Sequence, residues 1–251
     1  MKIALVSGAT AGIGEAIAIK LARLNYSLII TGRRIERLER LKENLIKDYS
    51  IEVKTLCFDI KNKNEVFNSI DSLDKQWQNI DLLVNNAGLA AGFGTIQEDR
   101  TEDWEQMIDT NVKGLLYLTR KISPIMIERK KGQIINIGSI AAKEVYPNGG
   151  VYCSTKHAVD ALTKAMRMDM LPHGIKVSAI HPGMVDTEFS TVRFKGDKAK
   201  ADAVYQGFTP LYAEDIADAV EFAVSRPAHV NINDMVIMAT AQATATVIVR
   251  N

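Results

Sequence analysis

Short apolar runs rich in β-branched residues recur along the chain: KIALV (2–6), SLIIT (27–31), VKTLCF (53–58), IDLLVN (80–85), GQIINI (132–137), KVSAI (176–180) and MVIM (235–238). Their apolar positions are consecutive rather than alternating, which is the signature of strands covered on both faces. Between them lie longer segments of helical period. In Ile35–Tyr49, for example, Leu38, Leu41, Leu45 and Ile46 fall on one stripe. Strand and helix in alternation predict an α/β fold: a doubly wound, seven-stranded parallel sheet with helices on both faces.

No repeat, low-complexity tract or Pro/Gly/Ser-rich linker divides the chain, so residues 1–251 read as a single domain. The least regular stretch is 186–212, DTEFSTVRFKGDKAKADAVYQGFTPLY, which is polar and charged. An excursion of this kind near the end of a sheet is predicted to cover a ligand site.

Glycines cluster where the first strand meets the first helix. After the strand at 2–6 come Gly8, Thr10, Gly12, Ile13 and Gly14, and a helix is expected from about Glu15 to Arg23. Glycine is a poor helix former, but it turns tightly and lets a ligand approach the backbone closely. Free N–H groups at the helix start then hold a pyrophosphate. The spacing is GxxxGxG rather than GxGxxG, and its place after strand one points to a dinucleotide. The second strand ends in TGRR, with Arg33 and Arg34 where an NAD site carries an acidic residue. Guanidinium groups there suit a 2′-phosphate, so the expected cofactor is NADP(H). Arg37 and Arg40 read as a solvated start to the next helix.

Charge and cysteine narrow the rest. With 31 basic and 30 acidic residues the formal net charge is +1, which argues against a nucleic-acid or anionic-membrane partner bound by bulk charge. No run approaches the ~18 apolar residues of a membrane span. The N-terminal apolar run, interrupted by Glu15, is too short for a signal peptide. Cys57 and Cys153 form no metal-type pair, and a reducing cytoplasm without structural disulfide or metal is expected.

Candidate chemistry lies in VYCSTKHAVDALTKAM (151–166). Tyr152 and Lys156 are four apart and share one helix face. A phenol of pKa about 10 is a poor base at neutral pH. A nearby ammonium and an oxidised nicotinamide both favour phenolate, and a drop of ~3 units needs about 4 kcal/mol. Ser139, at the end of the strand GQIINI, sits where such sheets bind ligands and can bond a substrate oxygen.

These elements together resemble a known family. SGATAGIG (7–14), NNAG (85–88), TN (110–111), IGS (137–139), YCSTK (152–156) and HPG (181–183) stand in the order and spacing of the short-chain dehydrogenase/reductase family, over essentially the whole chain. The resemblance implies a single Rossmann-type domain with Tyr152 as acid/base and Ser139 orienting the substrate oxygen. It implies that Lys156 holds the nicotinamide ribose beside Tyr152 and lowers its pKa, with Asn111 supporting the lysine through a water. It further places Asp59 and Ile60 at the adenine and Asn86, Ala87 and Gly88 along the adenosine. Pro182, Gly183, Val185 and Thr187 would close over the nicotinamide. Serine at position 7 and histidine at 181 depart from the usual threonine and asparagine, and neither is expected to touch the chemistry.

WQNIDLLVNNAGLA (77–90), TEFSTVRFKGD (187–197) and PAHVNIN (227–233) resemble, more narrowly, the NADP-dependent 3-hydroxy acid dehydrogenases. That group oxidises serine and L-allo-threonine, and the resemblance implies a substrate of 3-hydroxypropionate type. The carboxylate of such a substrate needs a partner, and Arg193 in the covering segment is the candidate. A larger carbonyl substrate (diketone, sugar, steroid or acyl chain) is the alternative. A non-catalytic NADP(H) sensor would be expected to lack Tyr152 or Lys156. The family's assembly implies a homotetramer, built through the helical stretches 102–128 and 151–171 and through the C-terminal strand. The apolar VIV in the tail 239–251 is expected to dock on a neighbouring subunit.

Overall fold

The computed structural model describes residues 2–251. Seven strands form one parallel sheet: β1 (Lys2–Ser7), β2 (Tyr26–Gly32), β3 (Val53–Cys57), β4 (Ile80–Asn85), β5 (Gln133–Ile137), β6 (Lys176–Pro182) and β7 (Asp234–Ile237). Their spatial order is β3-β2-β1-β4-β5-β6-β7. Winding therefore reverses between β1 and β4, and a crevice opens there at the carboxyl ends of the strands. Each strand lies within two residues of the run that predicted it.

Residues of β1 alternate between two cores. Ala4 and Val6 pack with the helices α1 (Gly12–Arg23), α2 (Ile35–Tyr49) and α10 (Ala213–Val224). Ile3 and Leu5 pack on the opposite face with α3 (Lys63–Asp71), α6 (Leu115–Arg129) and α7 (Gly150–Met170). The short α4 (Lys75–Gln78) adds the buried Trp77 to that second core. Consecutive apolar residues in a strand thus serve both faces, as the unbroken runs predicted.

Two helices depart from their predicted form. α1 begins at Gly12, inside the glycine loop rather than after it. The stretch expected at 102–128 is α5 (Thr101–Ile108), a π turn (Asp109–Gly114) and then α6. Widened turns of that type are frequent at functional sites, and this one carries Asn111.

The segment after β6 leaves the sheet and returns. Asp186 N donates to Leu211 O and Leu211 N to Met184 O, so the two ends of the excursion are closed onto each other. Between them lie α8 (Phe189–Arg193) and α9 (Lys198–Ala203). The tail packs against this excursion in its own chain, with Asn251 N bonded to Gly207 O and Arg250 to Val204 O. Val247 and Val249 project outward. Among the described residues no helix is long and apolar enough to cross a membrane.

Candidate active site

The crevice at the strand ends is a cleft of about 270 Å³. Gly8, Thr10, Gly12 and Ile13 line it from the glycine loop, Arg33 and Arg34 from the end of β2, and Asp59 and Ile60 from beyond β3. Asn86, Ala87 and Gly88 follow β4, while Pro182, Gly183, Val185 and Thr187 follow β6. Ser139, Tyr152 and Lys156 close its inner end. Gly14 is the one expected cofactor residue behind the wall. A Cβ there would collide with Gly8 O and Asn86 Nδ2, so glycine is required for the helix to meet the strand.

These residues fit a dinucleotide. Gly8 holds a φ of +67°, and a Cβ on it would lie 2.9 Å from Ala87 Cα, so the loop must be glycine to lie against β4. The α1 N-terminus opens onto the cleft with no side-chain cap, leaving its first N–H groups for a pyrophosphate. Arg33 is exposed and makes no ion pair among the described residues. Arg34 is differently placed. Its Nε and Nη2 donate to Thr10 Oγ1 at 3.2 and 2.9 Å, and its Nη1 to Glu188 Oε2 at 2.8 Å. Arg37 also reaches Glu188, at 2.7 Å. Its periodicity read as an ordinary helix surface, and nothing nearby in sequence announces a partner 151 residues away.

A second cavity of about 620 Å³ shares Ser139, Tyr152, Gly183, Val185 and Phe189 with the cleft. Ser139 and Tyr152 both line the junction where the two spaces meet. Ser139 caps the short 3₁₀ turn Ile140–Ala142, its Oγ accepting from Ala141 N at 3.1 Å, which fixes the side chain. Tyr152 stands edge-on to Phe189, ring centroids 5.6 Å apart. Burial pushes its phenol pKa well up, and nearby Tyr146 adds to this, while Arg193 and the Ser139 hydroxyl pull it back. Lys156 donates to Ile137 O at 3.1 Å, and burial lowers its ammonium to about 8. The protein's own groups therefore push the Tyr152 phenol up, and the lowering expected of an ammonium together with an oxidised nicotinamide does not come from the ammonium alone. Lys156 Nζ lies 6.0 Å from the centre of the Tyr152 ring, and desolvation of the phenol outweighs it.

Asn111 does not line the cleft. Both its amide donors are used, on Leu89 O and Thr155 Oγ1, and its Oδ1 accepts from Leu89 N. Its carboxamide thereby fixes the Gly88–Leu89 turn, and a Cβ on Gly88 would sit 3.2 Å from Asn111 Oδ1 and 3.5 Å from Lys156 Nζ.

Arg193 enters the second cavity from α8. Its guanidinium lies 4.8 Å from the Tyr152 ring centre, 5.3 Å from Phe189 and 5.8 Å from both Phe93 and Tyr146. Nη2 donates to the Tyr146 hydroxyl at 2.8 Å, and Nε is buried with no partner among the described residues. A partly buried guanidinium in an aromatic cage, with a free donor, can receive a carboxylate beside Tyr152.

His181, expected to stand apart from the chemistry, lies fully buried against it. Its Nδ1 is 3.2 Å from Ser139 O and its Nε2 is 3.2 Å from Asp234 Oδ1. Burial pushes the imidazole pKa below its usual value, while Asp234 pulls the other way. Asp160, His181 and Asp234 converge, and the Lys143 ammonium bonds both carboxylates, at 2.9 and 2.6 Å. That lysine supplies the positive charge the cluster needs.

A family model described as short chain dehydrogenase matches residues 2–198. NADP-dependent 3-hydroxy acid dehydrogenase YdfG of Salmonella typhi is 46% identical over 244 residues, 97% of each chain. Sulfoacetaldehyde reductase 2 of Chromohalobacter salexigens is 42% identical over 242 residues, 96% of this chain and 95% of that one. Among solved structures, the closed form of serine dehydrogenase complexed with NADP+ matches with a TM-score of 0.92 at 44% identity, covering 99% of both chains.

Proposed function

The chain belongs to the short chain dehydrogenase family, and from that premise we propose that it transfers a hydride between NADP(H) and the hydroxyl-bearing carbon of a short 3-hydroxy acid. The observation that carries this reading is the meeting of the two spaces. Ser139 and Tyr152 both stand at the junction of cleft and cavity, with Arg193 against the Tyr152 ring. Relatives named for 3-hydroxy acids and serine support the same substrate class.

When bound, the nicotinamide supplies the carbon that takes or gives the hydride and, oxidised, a positive charge. This chain's residues do the rest. The Arg193 guanidinium receives the substrate carboxylate and sets the distance from that end to the reacting carbon. Ser139 Oγ–H donates to the substrate oxygen and orients it. In reduction Tyr152 gives its proton to that oxygen, and in oxidation its phenolate takes the proton back. Lys156 stabilises that phenolate and holds the ribose, while Asn111 keeps the Gly88–Leu89 turn in place beside it. Arg33 receives the 2′-phosphate, together with Arg34. Closure of the cover over the second cavity excludes water from the reacting atoms.

The test is absorbance of reduced nicotinamide in a panel of both serine enantiomers, L-allo-threonine, 3-hydroxypropionate and 3-hydroxyisobutyrate, each with NADP or NAD. Turnover with a 3-hydroxy acid and NADP, weak or absent with NAD, is expected. Silence on every acid, with reduction of a larger diketone in its place, would assign the cavity to the alternative substrate class. Sulfoacetaldehyde belongs in the panel as well, since a guanidinium that binds carboxylate also binds sulfonate.

The assembly we propose is a homotetramer, working on a small molecule in the cytoplasm. Met168 and Leu171 stand 69% and 72% exposed at the outer end of α7, and Val247 and Val249 project from the tail, which leaves apolar surface for subunit contacts. Sedimentation as a tetramer is expected, and a stable monomer would overturn this arrangement.

A further inference from the structure

Glu188 is the second point at which the substrate cover touches the cofactor side of the cleft. The first is its neighbour Thr187, whose side chain lies where a Cβ on Gly12 would come within 3.1 Å. The Glu188 carboxylate binds two guanidinium groups, Arg34 at 2.8 Å and Arg37 at 2.7 Å. Arg34 has its remaining donors on Thr10 Oγ1, so all three of its nitrogens are engaged. The three charged side chains are 36–48% exposed. Ion pairs this exposed contribute little to stability. Their location is more telling, because a carboxylate here sits against Arg34, one of the two guanidinium groups that the 2′-phosphate of NADP(H) would use. An acidic residue at the end of β2 disfavours that phosphate. Glu188 brings the same charge to the same place from 154 residues away in the chain.

We propose that Glu188, reaching across from the substrate cover, discriminates between the cofactors. A cofactor with a 2′-phosphate competes with Glu188 for Arg34. NAD(H) has no such group and leaves Glu188 in place. Displacement of the carboxylate, and its repulsion of the phosphate, therefore weaken NADP(H) alone. The natural preference for NADP(H) is smaller than the arginines by themselves would give. This inference rests on the NADP(H) reading of the cleft.

The experiment is equilibrium binding of NADPH and NADH, followed by the fluorescence of the reduced nicotinamide, in wild type, Glu188→Gln and Glu188→Asp. Glu188→Gln should tighten NADPH about three- to fivefold, the range of a half-exposed ion pair, with NADH unchanged. Raising the salt should shrink the difference, since it is electrostatic. Glu188→Asp keeps the charge and should stay near the wild-type ratio of the two affinities. A wild type that prefers NADPH, combined with an unchanged ratio in Glu188→Gln, overturns the proposal and leaves the cofactor reading standing. So does an equal change in both ratios for Gln and Asp, which would reflect side-chain shape rather than charge. A wild type that binds both cofactors equally removes the cofactor reading and this proposal with it.

Discussion

Tyr152→Phe lowers kcat for NADP-linked oxidation of a 3-hydroxy acid by about a thousandfold or more, the upper range for losing a positioned acid/base. NADPH affinity in the same variant stays within about threefold of wild type. The reason for the split lies in the geometry. The ring, which packs edge-on to Phe189 and under Arg193, is retained, and only the hydroxyl is lost. Stopped-flow turnover and fluorescence titration read the two quantities separately. A variant that loses both equally would make Tyr152 a cofactor-binding residue rather than the proton carrier. The direction of the reaction also matters. Burial holds the phenol protonated, ready to serve as the acid for reduction. Oxidation needs the phenolate and so gains as pH rises. Lys156, lowered by burial to about 8, loses its charge on the alkaline side, and with it the electrostatic support that phenolate needs.

Arg193→Met lowers kcat/KM for 3-hydroxy acids about a hundredfold, the size expected when a partly buried charge-assisted bond of about 3 kcal/mol is removed. Methionine keeps much of the volume within the cage of Phe93, Tyr146, Tyr152 and Phe189. The decisive quantity is the preference for an acid over an uncharged ketone, measured as a ratio of kcat/KM values. That ratio should fall about a hundredfold with the acid's own loss. If both substrates decline together, Arg193 serves only to hold the Tyr152 ring, and the carboxylate must find another partner.

How far the chain could be read in advance depended on whether a feature is local. Strands buried on both faces read as nearly continuous apolar runs, which makes β1, β2, β4, β5 and β6 legible, while the partly exposed β3 and β7 are legible from shorter runs. The glycine loop was equally legible, because close packing of backbone on backbone leaves only glycine at Gly8 and Gly14. The start of α1 is not legible, because glycine's low helix propensity masks a ligand-binding turn that is already the first turn of the helix. Tyr152 and Lys156 announce themselves by a spacing of four. The site's long-range partners leave no such trace. Glu188 with Arg34 and Arg37, and Tyr146 with Arg193, are brought together by a cover that folds back across the sheet ends. Histidine at 181 was noticed as a departure, but its contact with Ser139 depends on the register of β6 against β5. The raised phenol pKa is hidden for a different reason. A charge four residues away is visible in a sequence, whereas desolvation by the aromatic wall is not.

The most direct measurement of the central claim is the fate of deuterium. L-Serine carrying deuterium at both C3 positions is oxidised with unlabelled NADP, and the reduced cofactor is examined by mass spectrometry and proton NMR. Hydride transfer from the hydroxyl-bearing carbon, with Tyr152 taking only the hydroxyl proton, predicts one deuterium at C4 of the nicotinamide in each molecule formed. NADPH free of deuterium, produced at the same rate, would contradict it.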